Sequence, residues 1–121
     1  MANKSNSLSS PKTRQALAFW QGVNVHALQY MPADLSARQT AVLLHVYLSK
    51  EPHGIKELSE SLQISKPAIC RAVDTLEKLK LVRRKPDRHD GRNILVMPTP
   101  KGHTYLGQFA RIIMDISKKA A

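Results

Sequence analysis

The chain has 121 residues and a strongly basic composition, with 19 Lys and Arg against nine Asp and Glu and a formal net charge of +10. This length suits one domain and is small for an enzyme with a deep cleft, and the charge makes a polyanionic partner the leading expectation. Because no apolar run approaches the roughly 18 residues that span a bilayer and the N-terminus lacks the apolar core of a signal peptide, we expect a cytoplasmic protein.

The N-terminal part of the chain is predicted to be a polar arm followed by a long helix. Residues 1–10 are rich in Ser and Asn, which predicts a disordered arm. Over residues 11–31 the apolar positions cover a broad arc of a helical wheel, and Pro32 ends the helix. So wide an apolar face predicts that this helix packs both on its own domain and on a second subunit.

The next helix has a clear start signal. Ser36 stands at the N-cap, and Gln39 stands three residues later at the capping-box position. The apolar pattern continues to Lys50. Residues 51–54 then read as a turn, and Ile55 is predicted to form a strand of one or two residues that pairs with a later hairpin.

Two short helices with a tight turn between them follow. Ser65 is predicted to cap the second of these helices, with Pro67 in its first turn. Its apolar residues recur at helical spacing: Ile69, Ala72, Val73, Leu76 and Leu79. The opposite face carries Arg71, Thr75 and Lys78, a donor-rich stripe suited to a major groove. Asp74 is expected to support the helix by pairing with Lys78 one turn on.

A basic hairpin follows the second helix. Residues 81–85 and 93–97 read as strands, and residues 86–92 form a turn-rich basic tip. Between Ser65 and Asn93 the chain holds nine Lys or Arg against four Asp or Glu. Half of the net charge therefore lies in about a quarter of the chain.

The last helix is predicted over residues 99–119, after Pro98 ends the second strand. Its apolar residues lie three and four apart: Tyr105, Leu106, Phe109, Ile112, Ile113 and Ile116. We expect this stripe to pair with the first helix across a two-fold axis, giving a homodimer. The alternative is that both terminal helices only cap their own core.

The order of these elements resembles the winged helix-turn-helix repressors of the MarR family from about Leu35 to Leu106. The wing motif Asp87-x-x-Asp90-x-Arg92 carries the resemblance most specifically. It implies that Asp90 and Arg92 hold the wing tip in shape and that Arg92 enters the minor groove. The family usually has Gly where this chain has Lys80, so the helix end must use another geometry or strain Lys80. One helix follows the wing where many relatives continue further, so no small-molecule effector is predicted.

The fold class is therefore a mainly α winged helix-turn-helix with a small β-hairpin wing, spanning residues 11–121 with dimerisation helices at 11–31 and 99–119. The predicted function is sequence-specific binding of double-stranded DNA in transcription regulation, with repression implied by the resemblance and nucleoid association following from DNA binding. The predicted DNA-contacting residues are Ser65, Lys66, Pro67, Arg71, Thr75, Lys78, Arg83, Arg84, Lys85, Arg88, Asp90 and Arg92.

Within this set the expected roles differ. The helix N-terminus at Ser65 and five cations are expected to hold phosphates: Lys66, Lys78, Arg83, Arg84 and Lys85. Arg71 and Thr75 are expected to reach base edges, and Arg92 is expected to enter the narrow minor groove, where negative potential is concentrated.

Other readings compete with this one. The fold also serves as a protein-docking module, and the basic helix face could be a merely solvated surface. Shape-dependent RNA binding is disfavoured because aromatic residues make up only 5% of the chain. The lone Cys70 is predicted to be a packing residue rather than a redox sensor. No phosphate loop, catalytic motif or metal-ligand spacing is found, so no enzyme, cofactor or metal is predicted.

Overall fold

The computed structural model describes residues 7–120. Its elements in chain order are α1 (Pro11–Tyr30), α2 (Ala37–Leu48), α3 (Ile55–Leu62), α4 (Lys66–Lys78), β1 (Val82–Pro86), β2 (Ile94–Pro98) and α5 (Pro100–Ala120). These five helices and one two-stranded hairpin confirm the predicted mainly α winged helix-turn-helix. The predicted disordered arm at residues 1–10 falls largely outside the described residues.

The chain divides into two compact units. The first takes in the described residues up to Asp34 together with those from Leu106 onward, and the second is Leu35–Tyr105. In the second unit, β1 and β2 form an antiparallel hairpin whose register runs from Val82 opposite Pro98 to Pro86 opposite Ile94. Its core consists of residues that are at most 5% exposed: Val42, Leu43, Val46, Leu58, Ala68, Ile69, Ala72, Val73, Leu76, Leu81, Val82, Val96 and Tyr105.

Helices α2 and α4 begin where their capping residues predict. The Ser36 hydroxyl accepts a hydrogen bond from the Gln39 amide at 3.1 Å, and the Ser36 amide donates to the Gln39 side chain at 2.9 Å. The Ser65 hydroxyl accepts from the Ala68 amide at 3.3 Å, and Pro67 lies in the first turn of α4. Each cap satisfies amides that have no partner within the helix.

The short strand predicted at Ile55 is wrong by one residue. The isolated bridge joins Gly54 to Leu95, and the Val96 amide donates to the His53 carbonyl at 2.8 Å. Ile55 is already the first residue of α3, because the Gly54 carbonyl accepts the helical hydrogen bond from Leu58 at 2.9 Å. The extended backbone at Gly54 therefore pairs with the hairpin immediately before the helix begins.

Helix α4 ends in a left-handed residue at Lys80, whose φ is 64°. The Lys80 amide donates to the Glu77 carbonyl and the Leu81 amide donates to the Leu76 carbonyl, both at 2.9 Å. These two bonds make a Schellman motif, the turn that commonly uses glycine at this position. Of the two alternatives that the sequence left open at Lys80, the structure adopts the strained one.

One tyrosine hydroxyl joins α2 to the two ends of the wing. The Tyr47 hydroxyl donates to the Leu81 carbonyl at 2.7 Å and accepts from the Thr99 amide at 3.0 Å. The Thr99 hydroxyl donates to the Lys80 carbonyl at 2.7 Å and accepts from the Gly102 amide at 2.9 Å. Gly102 is required here because a Cβ at this position would overlap the Tyr47 hydroxyl. This network fixes where the wing leaves α4 and where it enters α5.

The first unit contains α1 and the later turns of α5. Val23 and Ile116 are buried, and Gly22 lies close to the Ile116 side chain. Several large apolar side chains nevertheless remain exposed in this unit: Leu17, Trp20, Leu28, Tyr30, Ile113 and Met114. Among residues 7–120, no helix is long and apolar enough to cross a membrane.

Candidate nucleic-acid interface

Helix α4 presents two chemically different faces. One face buries Ile69, Val73 and Leu76 completely. Arg71 and Lys78 are exposed on the other side, and the half-buried Thr75 donates its hydroxyl to the Arg71 carbonyl at 3.4 Å. The predicted donor stripe therefore exists, although part of the hydrogen-bonding capacity of Thr75 is used within the helix.

At the start of α4, Ser65, Lys66 and Pro67 are all exposed. The Ser65 hydroxyl caps the helix, so the amides of the first turn are the main donors that this end could offer to an anion. A groove of about 500 Å³ opens beside it and is lined by Ile55, Lys56, Glu57, Lys66, Asp90, Arg92, Asn93 and Ile94. Lys56 was absent from the predicted site, and it joins Lys66 and Arg92 only through the tertiary fold.

The three consecutive cations of β1 differ in their surroundings. Arg83 is exposed, whereas Arg84 and Lys85 are half-buried, and the side chain of Arg84 is 28% exposed. Successive side chains on a strand point to opposite faces, so Arg84 faces away from its two neighbours. The three residues therefore do not form one continuous phosphate-binding row.

Arg84 is held by two carboxylates of α4. One guanidinium nitrogen lies 2.5 Å from Asp74 Oδ1 and the other lies 2.6 Å from Glu77 Oε1. The Arg84 amide also donates to Glu77 Oε2 at 2.9 Å, and its guanidinium reaches the Cys70 carbonyl at 3.5 Å. The structure thus corrects one expectation, because Asp74 pairs with Arg84 rather than with Lys78. Arg84, a predicted phosphate ligand, has its guanidinium bonded to two carboxylates of the protein.

These contacts change the acidity of Glu77. The backbone amide and the guanidinium of Arg84 both donate to the carboxylate, which lowers the pKa of Glu77 below its ordinary value. Glu77 therefore stays ionised at neutral pH, and the ion pair with Arg84 persists.

The wing tip is shaped by two aspartates. Asp87 Oδ1 accepts from the His89 amide at 2.9 Å, and Asp90 Oδ1 accepts from the Arg92 amide at 3.1 Å. The Asn93 amide closes the turn by donating to the Asp90 carbonyl at 2.9 Å. The bond from the His89 amide is the main reason that the pKa of Asp87 lies below its ordinary value. Asp90 thus holds the turn as the family resemblance implies, while Asp87 is a shaping residue that was left out of the predicted site.

The tip projects cations outward. Arg88 and Arg92 are both exposed. Together with the cations of α4 and β1, they give one unit a basic helix face and a basic wing. Hydrogen-bond donors in this arrangement can contact phosphate oxygens and the edges of bases.

Comparison with known proteins bears on this geometry. The model of the MarR family matches residues 33–93, which include α2, α3, α4 and the wing up to the start of β2. A search among curated proteins finds no match.

Solved structures with the same arrangement are numerous. A mutant of S. aureus MepR bound to an oligodeoxyribonucleotide is 19% identical, with a TM-score of 0.80 over 93% of this chain and 80% of that one. Wild-type apo MarR from E. coli is 23% identical, with a TM-score of 0.68 over 88% and 77%. The transcriptional regulator Tm0710 from Thermotoga maritima is 23% identical, with a TM-score of 0.69 over 90% and 77%. At these identities the likeness establishes the shared fold.

Proposed function

The chain belongs to the MarR family of winged helix-turn-helix regulators, and we propose that it binds duplex DNA sequence-specifically as a homodimer and represses transcription. The observation that carries the proposal is the exposed basic face of α4 beside a wing whose tip is held by Asp87 and Asp90. The S. aureus MepR mutant solved with a bound oligodeoxyribonucleotide shares this fold, which supports DNA binding by this chain. Repression rests on family membership alone.

In the proposed complex, α4 lies in the major groove. Arg71 and Thr75 read base edges, because a bidentate guanidinium suits the acceptors of guanine. The exposed cations Lys66, Lys78 and Arg83 hold phosphates, which fix the register of the protein on the duplex. Arg92 enters the adjacent minor groove, where its weakly hydrated guanidinium is favoured by the concentrated negative potential.

The proposed dimer rests on apolar surface in the first unit. Trp20, Leu28 and Tyr30 of α1 are 59%, 67% and 71% exposed. So many exposed large apolar residues on the terminal helices favour burial against a second copy, and cyclic dimers are the commonest assembly of small proteins. Light scattering at micromolar concentration should give about twice the 13.5 kDa monomer mass. A monomeric mass at that concentration would contradict the dimer. The variant Trp20→Asp should itself have the monomeric mass.

Selection of bound fragments from random duplex DNA tests the function itself. We expect one enriched inverted repeat whose half-sites lie about one helical turn, roughly 34 to 36 Å, apart. Affinity for it should fall steeply with salt, because phosphate contacts release counterions. Equal affinity for all sequences would refute specific recognition, and absence of DNA binding would favour the protein-docking alternative.

Two arginine variants separate the proposed types of contact on the selected duplex. Arg71→Ala should lose about 1 to 3 kcal/mol on that site and little on random DNA. Arg92→Ala should instead abolish the advantage of A·T-rich flanks over G·C-rich flanks. Arg14→Ala, which removes an exposed arginine of α1, is the control. If all three variants bind alike, the proposed recognition surface is wrong.

A further inference from the structure

Arg84 stands out among the cations of the proposed interface because its guanidinium is already bonded within the protein. Its two terminal nitrogens contact two different carboxylates, Asp74 at 2.5 Å and Glu77 at 2.6 Å. The backbone amide of the same residue donates to Glu77 at 2.9 Å. Because the guanidinium and the backbone amide of Arg84 both bond to Glu77, they hold β1 in one position against α4.

The acids that Arg84 holds lie on the helix proposed to enter DNA. Asp74 is three residues from Arg71, and its side chain is 66% exposed. Glu77 adjoins Lys78 in the sequence, and its side chain is 39% exposed. Without a counter-charge, these carboxylates would repel the DNA phosphates that must approach this surface. Arg84 reduces that repulsion from inside the protein.

Arg83, the preceding residue of the same strand, has the opposite placement. It is exposed, and it lies opposite Met97 in the hairpin, whereas Arg84 lies opposite Val96. Because strand side chains alternate between faces, the face of β1 that bears Arg83 is the one free to meet a phosphate. Two adjacent arginines therefore serve different purposes.

We propose that Arg84 is a positioning residue for DNA binding: it holds the wing against the recognition helix and offsets one of the two negative charges of Asp74 and Glu77, and it does not itself bind phosphate. The proposal rests on the proposed function, since it concerns how that surface is prepared for DNA. It predicts that the loss of DNA affinity caused by replacing Arg84 depends on the presence of the two carboxylates.

The experiment compares Arg84→Gln in two backgrounds, the wild-type chain and the variant that carries Asp74→Asn with Glu77→Gln. Fluorescence anisotropy on the selected duplex gives the affinity over a series of salt concentrations. In the wild-type background, Arg84→Gln should weaken binding about tenfold or more, because it leaves two unpaired carboxylates and a loosened wing. In the amide background it should change affinity less than about twofold and leave the salt slope unchanged.

Arg83→Gln is the matched control. As a proposed phosphate ligand, Arg83 should lose similar affinity in both backgrounds and reduce the salt slope by about 0.9 in each. Circular dichroism verifies that every variant is folded at the assay temperature. If Arg84→Gln does not fold, Arg84→Lys takes its place in the comparison. The lysine ammonium keeps the positive charge but lacks the planar fork with which arginine bridges two acids.

The outcomes separate the two hypotheses. Equal losses for Arg84→Gln in both backgrounds, with a slope reduced by about 0.9, would make Arg84 a phosphate ligand and overturn the positioning role. No loss in either background would also overturn it. A wild-type protein that selects no duplex would instead refute the proposed function, which is a separate result.

Discussion

The Tyr47 hydroxyl is expected to be a major source of stability, because one oxygen atom serves two backbone groups that are far away in the sequence. Tyr47→Phe removes this oxygen and keeps the ring, which packs edge-on to His103 with centroids 5.0 Å apart. The Leu81 carbonyl then loses its donor at 2.7 Å, and the Thr99 amide loses its acceptor at 3.0 Å.

The magnitude follows from those two orphaned groups. A backbone group left without its partner in a buried site costs about 1 to 3 kcal/mol. The surroundings of Tyr47 are only partly buried, so water can replace some of the lost bonding. We therefore expect a total loss of about 2 to 3 kcal/mol in the free energy of unfolding, which corresponds to a fall of about 10 °C in the melting temperature.

Thermal and urea unfolding followed by circular dichroism measure this loss at one fixed protein concentration, since association would shift the midpoint. The matched control is Tyr30→Phe, which also removes one hydroxyl; Tyr30 is 71% exposed in the protomer and lies on the proposed dimer surface, so light scattering must first show that this variant keeps the wild-type mass. If Tyr47→Phe and Tyr30→Phe differ by less than about 0.5 kcal/mol, the range of ordinary surface substitutions, the role assigned to the hydroxyl is wrong.

Gly102→Ala should destabilise the folded protein by about 2 kcal/mol or more, because the added methyl overlaps the Tyr47 hydroxyl. Gly107→Ala, which adds a methyl with nothing within 4 Å, should stabilise α5 by about 0.5 to 1 kcal/mol. Equal effects of the two variants in thermal unfolding would contradict this packing. Lys80→Gly should stabilise by about 0.5 to 1 kcal/mol by relieving the φ of 64°, and a fall in the urea midpoint would refute that strain. Because the pKa of Glu77 is lowered in the folded protein, the stability that ionised Glu77 contributes is present above its ordinary pKa of 4.5 and is lost as pH falls through the lower pKa of the folded state. The free energies of unfolding of wild type and Glu77→Gln, measured by urea titration, should therefore converge in acid. A difference that is constant with pH would count against this linkage.

Much of the fold could be predicted because its signals are local. The capping box at Ser36 and the cap at Ser65 act within three residues, and the period of the apolar residues shows which face of each helix is buried. The aspartates of the wing likewise bond to amides two residues on. The exposed cations of α4 and of the wing tip follow from the same periodicities.

The prediction failed where a residue's partner depends on packing. Asp74 can reach Lys78 along the helix, and a sequence offers no sign that Arg84, ten residues away on a strand, is the better partner. The three adjacent cations of β1 likewise look alike in a sequence, although their surroundings in the fold differ. Only the pairing of β1 with β2 and the packing of α4 against β1 decide which of them faces the helix.

The sequence by itself determined the order of the helices and the hairpin, the starts of α2 and α4, the buried faces and the basic character of α4 and the wing, since all of these depend on neighbours within a few residues. The tertiary structure decided that Tyr47 bonds to groups 34 and 52 residues away, that the pairing expected at Ile55 is a bridge at Gly54, and that Arg84 holds two acids of α4. Groups become partners when the packing of the core brings their surfaces within about 3 Å, the reach of a hydrogen bond. Spacing along the chain gives no information about that distance.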